Sequence, residues 1–149
     1  MTQTEVRLIR HHERDALLVL YRQLIEQDPF LEDSEELRLH WEAIMRDDTL
    51  NIIVVEQDGL LVASCVVHIL KNLTRGARPY ALIENVVTHN RYRRRGLGRM
   101  ALDEAKRMAE ESGCYKIMLL TSRADDSVHR FYQAAGYRSD VKTGYVMKL

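Results

Sequence analysis

Apolar side chains recur along this chain in two periods, and the places where one gives way to the other mark its elements. Val6 to Ile9 alternates with Arg7 and Arg10, the period of a strand with one buried face. From His12 to Gln27, Leu17, Leu20, Tyr21 and Leu24 fall at helical spacing, and Asp28-Pro29 stops the helix. Asp33-Ser34-Glu35-Glu36 reads as a capped start to a second helix that turns Leu37, Trp41 and Ile44 inward. Leu50 to Val55 and Leu60 to Leu70 are strand-like runs joined by Asp58-Gly59, a hairpin signal.

After a basic loop, Lys71 to Pro79, the run Tyr80 to Thr88 predicts another strand. Leu97, Ala101, Ala105 and Met108 then lie on one helical face, and Gly113 ends that helix. Ile117 to Thr121 reads as a buried strand, parallel to its predecessor because a helix connects them. A short helix carries Val128, Phe131, Tyr132 and Ala135 on one face and ends at Gly136. Tyr137 to Asp140 and Tyr145 to Leu149 read as a closing hairpin about Lys142-Thr143-Gly144. The fold class expected is α/β, with a mixed sheet of about six to seven strands and about four helices on its two faces. At 149 residues the chain is expected to form one domain, residues 1–149.

Composition narrows the function. The 22 basic and 22 acidic side chains cancel, which argues against a dedicated nucleic-acid binder. The longest mostly apolar run, Leu60 to Leu70, contains Ser64 and His68 and falls far short of the ~20 residues that span a bilayer. Glu5, Arg7 and Arg10 stand where a signal peptide would be apolar, so a cytoplasmic protein with no membrane partner is expected. Cys65 and Cys114 show no paired spacing and read as small buried residues in a reducing compartment. The six His and two Cys lack ligand spacing, so no metal site is expected.

The chemistry concentrates between Leu82 and Met108. There a β-branched run, Ile83 to Val87, leads through a polar turn to Arg93-Arg94-Arg95-Gly96-Leu97-Gly98-Arg99 and directly into a helix. The first amides of a helix have no intrahelical partner, and the helix dipole adds positive potential there. Gly96 and Gly98 lack the β-carbons that would hold a polyanion off the backbone, and the arginines add charge and forked donors. A diphosphate suits this turn best. The chain has neither G-x-x-x-x-G-K-[S/T] nor the third glycine of G-x-G-x-x-G. The competing reading is a solvated basic turn or nucleic-acid patch.

R-x-x-G-x-G from Arg93 to Gly98 resembles the coenzyme-A pyrophosphate loop of the GCN5-related N-acetyltransferase (GNAT) family, and His129 to Tyr137 resembles that family's second signature, Phe-Tyr shortly before Gly-aromatic. The resemblance covers most of the chain. It implies acetyl-CoA as cosubstrate and two strands that splay apart to admit the pantetheine arm. By position, the backbone of Val86, Val87 and Thr88 would hold that arm, and Arg93, Arg94, Arg95, Gly96, Leu97, Gly98 and Arg99 would hold the pyrophosphate. Asp125, Val128 and Phe131 would lie beside the coenzyme, and Tyr132 would be the general acid. Asp125 and Val128 depart from the Asn and Ala common at these positions, and a carboxylate cannot donate to pantetheine. Tyr132 has the competing reading of a packed aromatic.

Acetyl transfer to an amine also needs a proton acceptor. Glu84, in the strand leading to the splay, is the first candidate, against a structural Glu paired with a nearby arginine; His68 and His89 are weaker candidates. The expected function is direct transfer from acetyl-CoA to a primary amine of a small molecule, one that also carries an anion in the manner of an amino sugar phosphate or aminophosphonate. The anion could meet Lys71, Arg75 and Arg78, and a cationic amine the acidic stretch Glu26 to Glu36. The alternatives are a protein or peptide acetyltransferase and a non-catalytic acyl-CoA sensor, which would not need Tyr132. A second copy of the chain is a candidate partner.

Overall fold

A computed structural model describes residues 1–149. Its centre is one five-stranded sheet, ordered β1-β2-β3-β4-β5, with strands Thr4–Leu8, Leu50–Gln57, Leu60–Leu70, Tyr80–Thr88 and Ile117–Leu119. The first three pairings are antiparallel and the last is parallel. Asp58 and Gly59 both take positive φ at the β2–β3 turn, as a two-residue turn matching strand twist requires.

Helices cover both faces. On one lie α1 (Arg14–Tyr21) and α2 (Glu35–Arg46), burying Leu17 and Trp41 against Ile52, Val54 and Val66. Ser34 caps α2, its Oγ accepting from the Leu37 amide at 3.1 Å. The Trp41 indole donates to the His11 carbonyl at 2.9 Å, fastening α2 to the 3-10 turn His11–Glu13. On the other face lies α4 (Leu97–Glu111), whose buried Ala101, Ala105 and Ala109 bring the helix close to Ile53, Cys65, Val67 and Ile83. Cys114 donates its amide to Ala109 and Gly113 to Glu110, and Gly113 takes φ +77, the left-handed stop expected of it. The last helix, α5 (Asp126–Ala134), presents Phe131 and Tyr132 to the same cluster. No helix is long and apolar enough to cross a membrane.

Three expectations change. The first helix ends at Tyr21 rather than Gln27, because Arg22, Gln23 and Leu24 bond back three residues in successive tight turns. Ile117 to Thr121 shortens to the three residues of β5. The basic loop before β4 is a loop as expected, its Thr74–Ala77 segment (α3) a left-handed turn with positive φ at Arg75, Gly76 and Ala77. The closing hairpin is not formed: Arg138 to Leu149 holds no strand and no backbone hydrogen bond, so the sheet has five strands rather than six or seven.

Candidate active site

The site opens where β4 outlives β5. The two strands pair only as Ala81 with Ile117, Leu82 with Met118 and Ile83 with Leu119, so Glu84 to Thr88 continue with no neighbour on that side. A bulge sits at the same level. Asn85 takes φ +53, and the pairing of β4 with β3 slips between Ser64–Val87 and Val66–Glu84. The bulge bends β4 away from β5 and leaves the backbone at Val86, Val87 and Thr88 beside an open gap. Asparagine is among the few side chains that tolerate this conformation. Its place inside a β-branched run was the available signal for the bulge, and sequence reasoning passed over it.

Beyond the gap, His89 accepts from the Arg91 amide at 3.1 Å through Nδ1 and starts the 3-10 turn Asn90–Tyr92. Arg94 at φ +63 and Gly96 at φ +78 then curl the backbone into the start of α4. None of the seven amides from Arg93 to Arg99 donates to the protein; the first to do so is Met100, to Gly96 at 3.1 Å. Left-handed residues placed this way form a concavity of N–H groups suited to an anion. Gly96 is needed for its φ, since a β-carbon there would meet open space. Gly98 is needed for closeness: a β-carbon would lie 2.8 Å from Thr88 Oγ1 and 3.2 Å from Phe131 Cζ.

The arginines divide by what they touch. Arg93 Nε donates to the Thr88 carbonyl at 3.4 Å, and the Arg95 guanidinium lies 5.0 Å over the Tyr92 ring. Arg99 pairs with Asp103 at 2.8 Å and donates to the Ala134 carbonyl at 2.7 Å, tying the end of α5 to the start of α4. Its amide faces the turn, while its side chain is committed elsewhere. Asp125 is the cap residue of α5, with its carboxylate accepting from Ser127 Oγ at 2.5 Å and facing Arg123. The Ser127 bond, ahead of Arg123, holds the Asp125 carboxyl below its usual range.

Tyr132 lies half-buried on α5 with ring centroids 5.0 Å from Phe131 and 6.2 Å from Tyr137, both edge-on. Burial, above all, raises its pKa, so the phenol stays a proton donor through the neutral range. Val128 shares that half-buried face. Tyr137, unremarked in the sequence except as the motif's final aromatic, has a buried hydroxyl without a hydrogen-bond partner and a pKa pushed up to about 12 by burial.

Glu84 is exposed on β4 just before the bulge, opposite Val66, and enters no ion pair; the arginine partner weighed for it is absent. His89 stands at the mouth of the gap, whereas His68, opposite Leu50 and Leu82, is at the far end of β3. The basic loop is remote too. Lys71 to Arg78 precedes β4, about 25 Å of strand from Thr88, and Arg78 is spent on the carbonyls of Gly113 and Cys114 at 3.0 and 3.1 Å. Asp33 of the acidic stretch is also occupied, by Arg14 and Arg38.

A feature of the other face comes close instead. Gln23 Oε1 accepts from the Asn90 amide at 2.5 Å, which docks the turns that follow α1 against the mouth of the gap. The segment after α1 encloses a pocket lined by Leu18, Tyr21, Arg22, Ile25, Asp28 and Phe30, with the Arg22 guanidinium 5.2 Å over the Phe30 ring.

Comparison with known proteins agrees with this arrangement. The model of the Acetyltransferase (GNAT) family matches residues 17–137. A glucosamine 6-phosphate N-acetyltransferase of Trypanosoma brucei brucei is 33% identical over 81 residues, 54% of this chain and 53% of that protein, so the match spans about half of each. Among solved structures, a putative acetyltransferase from Agrobacterium tumefaciens str. C58 superposes with a TM-score of 0.91 at 39% identity, over 97% of this chain and 99% of that one. An aminoglycoside N-acetyltransferase in complex with CoA, 18% identical, shares the fold with a TM-score of 0.80 over 99% and 96% of the two chains.

Proposed function

Since the chain belongs to the GNAT family of acetyltransferases and is an acetyl-transferring enzyme, we propose that it moves the acetyl group of acetyl-CoA directly to a primary amine of a small molecule that also carries an anionic group. The observation that carries this reading is the continuity of three features: an unpaired β4 backbone, seven undonated amides beside it, and a protonated phenol on the helix that packs against both.

The residues fit the coenzyme, because the turn offers a diphosphate-sized set of undonated amides on a backbone curled by the left-handed Arg94 and Gly96. Acetyl-CoA supplies the activated thioester. The amides from Arg93 to Arg99 hold the pyrophosphate, with Arg94 and Arg95 adding charge at the rim. The backbone of Val86, Val87 and Thr88 holds the pantetheine amides, and one of its N–H groups polarises the acetyl carbonyl. Val128 and Phe131 wall the arm. Asp125 contributes its backbone and the start of α5, since its carboxylate is taken by Ser127.

Transfer breaks the carbon–sulfur bond and makes a carbon–nitrogen bond, so one proton must reach sulfur and one must leave nitrogen. Tyr132 gives the first, its phenol kept neutral by burial. Glu84 takes the second, directly or through a water, from a position free of competing cations. The acceptor enters beneath the segment after α1. Arg22 in that pocket and the exposed Arg91 are cations at this end of the sheet outside the coenzyme turn, and they replace the remote Lys71, Arg75 and Arg78 as partners for its anion. The likeness to a glucosamine 6-phosphate N-acetyltransferase supports an acceptor of this class.

The test is acetyl-CoA-dependent thiol release, with mass analysis of products, over amino sugar phosphates, aminophosphonates, uncharged amines, aminoglycosides and peptides. N-acetylation of the anion-bearing amines at the highest kcat/KM is expected. Turnover of peptides alone, or coenzyme binding without turnover of any amine, would overturn it.

A further inference from the structure

α5 ends in a Schellman turn. The Tyr137 amide donates back to the Tyr132 carbonyl and the Gly136 amide to the Gln133 carbonyl, both at 3.0 Å, with Gly136 at φ +98 in the left-handed position that the motif needs. Such a turn brings the residue after the glycine against a residue of the last helical turn, and here the two are Tyr137 and Tyr132. Their rings meet edge-on, with centroids 6.2 Å apart and planes at 79°. Both pack against the cluster that α4 buries.

Packing accounts for the ring of Tyr137 and not for its hydroxyl. The turn asks only for an apolar contact at this position, and phenylalanine would give the same edge with no polar atom to bury. The Tyr137 oxygen is enclosed and has no hydrogen-bond partner in the protein, an arrangement that works against stability. Burial, above all, keeps its proton on, with the pKa pushed up to about 12. The fold therefore holds a phenolic donor that it does not use. Beside it stands Tyr132, which becomes a phenolate once it has given its proton to the departing thiolate. Arg123, the cation whose charge acts on Tyr132, is itself paired with Asp125 at 3.4 Å.

We infer that Tyr137 is a positioning residue for the acid: its ring sets the direction of the Tyr132 phenol, and its hydroxyl donates, directly or through one water, to the phenolate that Tyr132 becomes. The inference rests on the reading of Tyr132 as general acid. As the carbon–sulfur bond breaks, the Tyr132 proton passes to sulfur and the negative charge to the Tyr132 oxygen. Tyr137 keeps its own proton and shares it as a hydrogen bond, and a proton from solvent later restores Tyr132. The two hydroxyls are not bonded to each other while Tyr132 is neutral, so the interaction gains strength only as charge develops. A donor fixed in advance and shielded from water stabilises that charge better than mobile solvent does.

Y137F separates this role from packing, with acetyl-CoA as donor and, as acceptor, the amine of the panel above that has the highest kcat/KM. Its kcat is expected to fall about 10-fold or more, the scale of a hydrogen bond to a charged group, while KM for acetyl-CoA and for the amine stays within about twofold of the parent. Its Tm should equal or exceed the parent's, because an enclosed hydroxyl without a partner has been removed. In a Y132F background the same substitution should change kcat by less than about twofold, since the group it acts through is already gone. A Y137F enzyme with the parent's kcat, a loss that persists undiminished beside Y132F, or a loss matched by a lower Tm would each defeat the inference. Y132F alone tests the reading beneath it: a slow Y132F with a fast Y137F removes only the role of Tyr137, whereas a fast Y132F removes the acid and the inference together.

Discussion

Gly98, at the start of α4, has no room for a side chain against Thr88, at the end of β4: a β-carbon would stand 2.8 Å from the threonine Oγ1, with the Phe131 ring at 3.2 Å behind it. Three elements of the site converge on this contact. G98A must therefore push the first turn of α4 away from β4, and a cost of about 1–3 kcal/mol is expected from the overpacking. Acetyl-CoA affinity should fall with it. G96A strains a left-handed residue in open space and should cost only about 1 kcal/mol. Thermal unfolding and calorimetry on both variants check this, and a G98A enzyme as stable as the parent would refute the packing.

Removal of the Tyr132 hydroxyl keeps the ring and its edge-on contacts with Phe131 and Tyr137. Y132F should lower kcat by about 10²-fold or more, the scale of a lost general acid, with acetyl-CoA binding little changed. Because burial raises the phenol pKa, the parent's rate should show no alkaline loss from Tyr132 below its ordinary value of about 10. A kcat within about twofold of the parent would assign the proton to another donor.

Glu84 is tested by pH. If its carboxylate takes the amine proton, E84Q should depress kcat/KM most at low pH, where the amine is largely protonated, and recover as pH nears the amine's own pKa. A parent-to-variant ratio that stays constant from about pH 6 to about pH 9 would make Glu84 part of the scaffold.

A stability prediction comes from the opposite edge of the sheet. Arg7 on β1 grips Glu13 through two bonds, 2.6 and 2.9 Å, and also pairs with Glu56. The Arg7 bonds are the main cause of a Glu13 pKa below its ordinary 4.5. A depressed carboxyl stabilises the fold fully above its unfolded value and loses that contribution as pH falls through the folded one. E13Q should then be less stable than the parent by about 1–3 kcal/mol near neutrality, and the gap should close under acid conditions. Urea unfolding at several pH values measures it, and a gap equal at every pH would remove charge from the explanation.

Residues near one another in the chain determined much of this protein. The 3.6-residue recurrence of Leu97, Ala101 and Ala105 fixed the face of α4, the Asp58-Gly59 turn the hairpin, and Ser34 the start of α2, because each depends on stereochemistry within a few residues. The undonated amides of Leu97 to Arg99 were legible for the same reason, since any helix start leaves its first amides free, whereas those of Arg93 to Gly96 belong to the left-handed turn before it. Tertiary structure decided the rest. Where β5 stops against β4, how the Asn85 bulge opens the gap, and that Arg99 is spent on Ala134 all depend on partners distant in sequence. The alternating tail shows the limit most clearly. Its pattern predicts strands at Tyr137 to Asp140 and Tyr145 to Leu149, yet a strand exists only when a neighbour completes its ladder, and this chain by itself provides none there.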